Sequence, residues 1–178
     1  PPAPAPHAGR GAPPAALVVL AVEASPPPRS IASPRIASPI LVKEWARLAG
    51  EAGGEVWERT DGSMLVVWPA RAGLRDAINR AVATADAMQK ATLQAGYRLS
   101  GGLCPGVARI APDTERPAEG WELAGPFYLA RWMMNLSAHR GRVLLTEVGA
   151  NQLRSRCGLL GRIPIQGNRT INVYELRS

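Results

Sequence analysis

The sequence is poor in lysine, cysteine and aromatic rings. Lys43 and Lys90 are its only lysines, so the net charge of +7 is carried by arginine. The arginines are scattered singly or in loose pairs, as in Arg140-Gly141-Arg142 and Arg154-Ser155-Arg156. A nucleic-acid groove gathers its cations into a stripe with stacking aromatics between them. Aromatics are 5% of the chain, so nucleic acid is not expected as a partner and the arginines read as a solvated basic surface. Two cysteines, Cys104 and Cys157, supply neither a disulfide framework nor metal-ligand spacing, which fits a reducing, cytoplasmic compartment. The longest apolar run, Ala15 to Ala24 broken by Glu23, is too short to cross a bilayer, so no membrane contact is expected within this stretch. No signal peptide is evident either.

What is present is proline, glycine and alternating apolar segments. Residues 1–14, "PPAPAPHAGRGAPP", read as a semi-rigid linker, with His7 a passenger rather than a ligand, and imply attachment to a longer polypeptide. "ALVVLAVEA" (16–24) reads as a buried central strand. Residues 25–39 carry a small tandem, "IASPRIASP", whose Ser-Pro steps disfavour helix and give a loop. Residues 40–52 place Ile40, Leu41, Trp45 and Leu48 on one helical face, stopped by Gly53-Gly54. "GGEVWERTDGSMLVVW" (53–68) is a hairpin with Asp61 near its tip.

Residues 71–96 form a long helix with Leu74, Ile78, Val82, Ala85, Met88 and Leu93 toward the core. Residues 97–110 read as a strand that ends in a turn and resumes, and 111–120 as a polar loop. Residues 125–141 are a helix with Pro126 in its first turn, 142–146 a strand, and 147–156 a short helix. The tail closes as a hairpin turned at Gly167-Asn168. Irregular alternation with a terminal antiparallel hairpin predicts an α+β fold, one sheet with helices packed on one face.

Four stretches, in order, resemble the class III adenylyl/guanylyl cyclase catalytic domain over about residues 15–177. "ALVVLAVEA" is similar to V-x-V-L-F-x-D-I, and "GGEVWERTDGSMLVVW" lies ungapped over G-G-x-V-x-K-x-x-G-D-x-x-L-x-V-F. "LSGGLCPGVA" matches L-R-x-G-I-H-x-G-x-V. "ELAGPFYLARWMMNLSAHRGRVLLTEVGANQL" lies over D-x-x-G-x-x-V-N-x-A-A-R-L-x-x-x-x-x-x-G-x-I-L-x-S, and "VYEL" agrees with the family's last strand. The resemblance implies a ferredoxin-like βαββαβ core with a mixed or antiparallel sheet, and a cyclase homology domain over residues 15–178.

It also implies a chemistry against which each position is tested. In the family, two Asp from one partner of a head-to-tail dimer hold two divalent ions. The other partner supplies a purine-reading Lys and Asp, and an Asn and Arg that steady the ribose and the phosphate charge. Here the metal positions fall at Glu23 and Gly62, with Asp61 one place early, leaving Glu23 and Asp61 as weak metal candidates. The purine Lys falls at Glu58, a reversed charge, and the purine Asp at Glu122, a conservative replacement and the one candidate nucleotide contact. The Asn falls at Leu129 and the Arg at Met133.

Losing one oriented transition-state donor costs about 10²–10³ in rate, and losing two on the order of 5–8 kcal/mol, without strict additivity. The expectation is therefore no enzyme, no catalytic residues and no cofactor. The domain is expected to be inactive, serving as a regulatory or protein-interaction module of a larger signalling protein. A nucleotide sensor without turnover and the metal-bearing half of a heterodimeric cyclase stand as alternatives. Phe127, Tyr128, Trp132 and Met133 are the expected interaction surface, toward a protein partner or a second copy. The short stretch from Glu23 to Gly53 leaves both a monomer and an altered dimer open.

Overall fold

The computed structural model describes residues 14–26, 38–60, 63–109, 125–137, 141–153, 156–165 and 169–177. The first strand, β1 (Pro14–Ser25), is buried on both faces along its middle, as a β-branched apolar run between two helical layers must be. Pro14, expected to end the linker, is instead the first residue of this strand. Helix α1 (Pro39–Glu51) starts where Ser38 Oγ accepts from the backbone N–H of Ile40 at 3.3 Å, with Pro39 in the first turn. It buries Leu41, Trp45 and Ala49. Ile40, assigned to that buried face, is instead 80% exposed, because it sits in the first turn before the helix meets the sheet.

The hairpin of β2 (Glu55–Thr60) and β3 (Ser63–Pro69) forms as expected, with a register shift between Val56 and Glu58. Helix α2 (Leu74–Gln94) buries Ile78, Val82, Ala85 and Met88. Leu93 does not join them: it is exposed, and Thr92 takes the inward place. Thr92 Oγ1 accepts from Trp45 Nε1 at 3.0 Å and donates to Met88 O at 2.6 Å, so the hydroxyl satisfies a buried indole at the end of the helix.

Residues 98–109 form one continuous strand, β4 (Arg98–Arg109), rather than two pieces about a turn. Pro105 is tolerated because β4 pairs with β5 (Val143–Thr146) only over Gly101–Leu103, so that side of the strand is open at residue 105. Helix α3 (Gly125–Leu136) ends earlier than expected, and helix α4 (Glu147–Leu153) leads to β6 (Cys157–Ile165) and β7 (Arg169–Leu176).

The sheet order is β2-β3-β1-β4-β5-β7-β6, antiparallel except for the β4–β5 pair. Its first four strands with α1 and α2 make the βαββαβ core, and the fold is α+β. The helices do not share one face. Alternation along β1 sends Val18, Leu20 and Val22 toward α1 and α2, and Leu17, Val19 and Ala21 toward α3. No helix among the described residues is long and apolar enough to cross a membrane.

Candidate functional site

The α3 face of the sheet carries most of the positions singled out by sequence. Residues of β4 that point toward α3 are all small: Ser100, Gly102, Cys104, Gly106 and Ala108. A Cβ on Gly102 would stand 2.1 Å from Ala130 O and 2.7 Å from Met133 Cβ. The helix therefore rests on the strand backbone itself, a separation only glycine permits. Its C-terminal end is tied down by paired hydroxyls. Ser100 Oγ donates to Ser137 O at 2.9 Å, and Ser137 Oγ lies 3.3 Å from Gly101 O and 2.9 Å from Met134 O.

This close seat corrects the expected interaction surface. Met133 is fully buried over Gly102 and Phe127 is 2% exposed, so both belong to the chain's own core and present nothing to a partner. Phe127 stacks on Trp57, the extra residue at the β2 irregularity, with ring centroids 5.3 Å apart and planes at 23°. Tyr128, Leu129 and Trp132 lie partly exposed on the same helix.

Glu23 sits near the end of β1, half-buried, on the α3 side by strand alternation. It pairs with Ser63 of β3 on one side and Ser100 of β4 on the other. The β2–β3 tip, with Asp61 and Gly62, and the purine-region Glu122 lie outside the described residues. Glu58 is placed in β2 opposite Leu65. Glu23 brings a carboxylate to this end of the sheet, and no group of three or more His, Cys, Asp or Glu side chains able to hold a metal ion occurs among the described residues.

A cavity of about 370 Å³ opens beside α3, missed by sequence reasoning because five separate segments of the chain build it. Leu129 forms one wall and Cys104 and Pro105 another. Thr146 closes β5 there, Glu147 and Val148 begin α4, and Arg162 with residues 170–172 completes the rim. Burial pushes the Cys104 thiol up to about 12, against a weaker opposite pull from the neighbouring Thr146 hydroxyl. The thiol stays neutral and its Sγ lies 3.5 Å from Pro105 O. Thr146 Oγ1 is fully buried, with the Cys104 thiol as its polar neighbour. Arg162 Nε donates to Thr170 Oγ1 at 2.8 Å, and Asn172 Nδ2 donates to Glu147 Oε2 at 3.3 Å.

Solved structures match this arrangement along nearly the whole chain. The adenylyl cyclase CyaB from P. aeruginosa superposes with a TM-score of 0.72 at 16% identity, over 93% of this chain and 95% of that one. The fold is that of the class III cyclase catalytic domain. An adenylate/guanylate cyclase/hydrolase from Silicibacter pomeroyi gives a TM-score of 0.66 at 14% identity, over 93% and 98% of the two chains. A non-canonical dimeric guanylyl cyclase domain of the RhoGC fusion protein from Blastocladiella emersonii gives 0.62 at 13%, over 91% and 96%. No family model matches the sequence, and no curated protein does. At these identities the likeness is one of fold.

The expectation of no enzyme is overturned here. The neighbours are adenylyl and guanylyl cyclases, and the fold of the described residues gives no ground for calling the domain inactive.

Proposed function

We propose that this cyclase-fold domain contributes the carboxylate half of a nucleoside triphosphate site completed by a second cyclase-fold domain, as part of a larger signalling protein. The asymmetry of the α3 face carries this reading. Glu23 offers a half-buried carboxylate opposite Ser63 of β3, whereas Leu129 and Met133 give α3 neither an amide nor a guanidinium. Two copies of this chain would duplicate the carboxylate and still lack both donors. A partner that brings them completes one site.

In that pairing Glu23 holds a divalent ion, with Asp61 as the sequence's candidate for a second oxygen. Such an ion, when bound, polarises phosphate oxygens and lowers the pKa of an attacking hydroxyl. Glu122 remains the proposed purine contact, and the half-exposed Tyr128 and Trp132 are the proposed surface of α3 toward the partner. We read Pro14 to Arg177 as the domain and the preceding Pro/Ala-rich residues as its linker.

Complementation tests this. The chain is mixed with a class III cyclase domain whose own metal-binding aspartates are changed to Ala, with ATP or GTP and Mn²⁺, and cyclic nucleotide is measured. Product is expected from the mixture and from neither protein alone, and Glu23→Ala is expected to remove it. A mixture that associates in sedimentation yet makes no cyclic nucleotide overturns the proposal, as does product undiminished by Glu23→Ala.

A further inference from the structure

The last strand in the sheet order is β6, so one side of it pairs with β7 and the other meets no strand among the described residues. Arg177 N–H donates to Arg156 O at 2.7 Å, which makes these two opposed residues a hydrogen-bonded pair. Alternation along an antiparallel strand then turns the N–H and C=O of Cys157 and Leu159 outward, away from β7. The second half of this edge is guarded against further pairing. A register shift falls between Leu159 and Gly161, Arg162 is charged, and Pro164 has no N–H. The first half has no such guard. There the Leu159 side chain is 63% exposed and Leu160 beside it 38%.

Charge at this end is one-sided. A Cβ on Gly158 would stand 2.5 Å from Arg177 Nη2 and 2.9 Å from its Cζ, so the Arg177 guanidinium reaches across to β6 and rests on its backbone. It has no carboxylate partner among the described residues. Asp86 is taken by Arg156 at 2.6 Å, and Glu175, opposite Gly158, by Arg142 at 3.3 Å. Burial raises the Cys157 thiol, and the charges of Arg156 and Arg177 pull it the other way, so both guanidiniums stand close to this edge. Lys90 and the exposed Leu93 line a cavity of about 280 Å³ that Arg156 also lines. A second copy of this chain, with its own net charge of +7, would set like charges against these. An acidic strand answers them. We propose that the first half of the β6 edge takes up a short, extended, acidic segment of a partner protein as an added strand. The segment's backbone pairs with Cys157 and Leu159, its apolar residues lie on Leu159 and Leu160, and a carboxylate meets Arg177. The site uses neither α3 nor Glu23 and stands independently of any pairing with a second cyclase-fold domain.

Fluorescence anisotropy with labelled peptides on the whole chain tests this. The probes are Glu-Val-Glu-Val-Glu-Val, its Lys-Val counterpart, and the acidic peptide N-methylated at every residue. The acidic peptide is expected to bind with Kd of about 100 µM, as suits a short added strand, and the other two at least about tenfold more weakly. Arg177→Gln, at an exposed position, is expected to weaken the acidic peptide about fivefold through loss of a charge-assisted pair. Leu159→Pro removes an outward N–H that the sheet does not use, and proline is accepted on an edge strand. It is expected to weaken binding about tenfold with an unchanged thermal melt. Should it unfold the chain, Arg177→Gln and the N-methylated peptide carry the test without it. No binding of the acidic peptide at about 1 mM overturns the proposal. So does equal binding of the lysine or the N-methylated peptide, or binding that either substitution leaves unchanged in a folded chain. A dimer of the chain alone in sedimentation that Leu159→Pro dissolves gives the edge to a second copy and also overturns it.

Discussion

The two faces of one sheet are packed on opposite plans. Toward α1 and α2 the space is filled with large side chains, among them Trp45, Trp68, Ile78 and Met88, all fully buried. Their polar atoms are answered locally, as when Trp68 Nε1 donates to Ala52 O at 3.2 Å. Toward α3 the side chains of β4 are small and the helix rests on that strand's backbone, with Met133 directly over Gly102. Beyond its edge lies the cavity. The first face is built for burial and tolerates adjustment of side chains. The second is built for close approach and leaves room for chemistry beside it.

Adjacent glycines on β4 put this contrast to the largest test, because they point to opposite faces. In Gly102→Ala the new methyl meets the backbone of α3 at Ala130 O and Met134 N, atoms that move only with the whole helix. A loss of about 3 kcal/mol or more is expected, at the upper end for overpacking. In Gly101→Ala the nearest atoms are Ala21 O and the Val22 and Val143 methyls, at 3.3–3.4 Å. There the change is expected to stay within about 1 kcal/mol, since a strand glycine gains that much on becoming alanine. Urea denaturation of both variants measures the difference, and equal losses would mean that α3 is not seated on Gly102.

Much of this fold was legible in the sequence, and the parts that were not have physical reasons. Period and β-branching marked β1, and the Gly-bounded alternation of residues 53–68 marked its hairpin. The run from Leu17 to Val22 held a further signal that was passed over. A strand apolar at every position has to be covered on both faces, so helices on one side alone were already excluded. Gly101-Gly102 and Pro105 suggested a turn because glycine and proline usually mark one; here they answer to helix contact and an open strand edge. Met133 and Phe127 looked like a surface because helix periodicity does not say which neighbour lies opposite. The cavity left no sequence trace at all, since Leu129, Thr146 and Arg162 meet only through tertiary pairing.

The same substitution made on each face sharpens the contrast further. On the α2 face, Thr92→Val removes the hydroxyl that accepts from Trp45 Nε1. The indole N–H is then buried without a partner, which costs about 1–3 kcal/mol. Thr92→Ser keeps the oxygen and is expected to lose less than half of that, both read from urea midpoints at constant m-value.

On the α3 face, Thr146→Val is expected to have the smaller effect and the opposite sign. Its buried hydroxyl has only the Cys104 thiol, a weak partner, as its polar neighbour among the described residues, so the native chain already bears most of the desolvation that Thr92→Val would newly impose. A Val methyl in place of the hydroxyl leaves shape and β-branching intact and removes that burden. Stability should rise by about 1 kcal/mol, an upward shift in Tm of roughly 2–4 °C for a chain of this size. Gain at Thr146 and loss at Thr92 together would mean that the sheet keeps one hydroxyl for its core and carries the other at a cost to folding. If Thr146→Val destabilises as Thr92→Val does, the Cys104 thiol is a full partner of the hydroxyl in the folded chain.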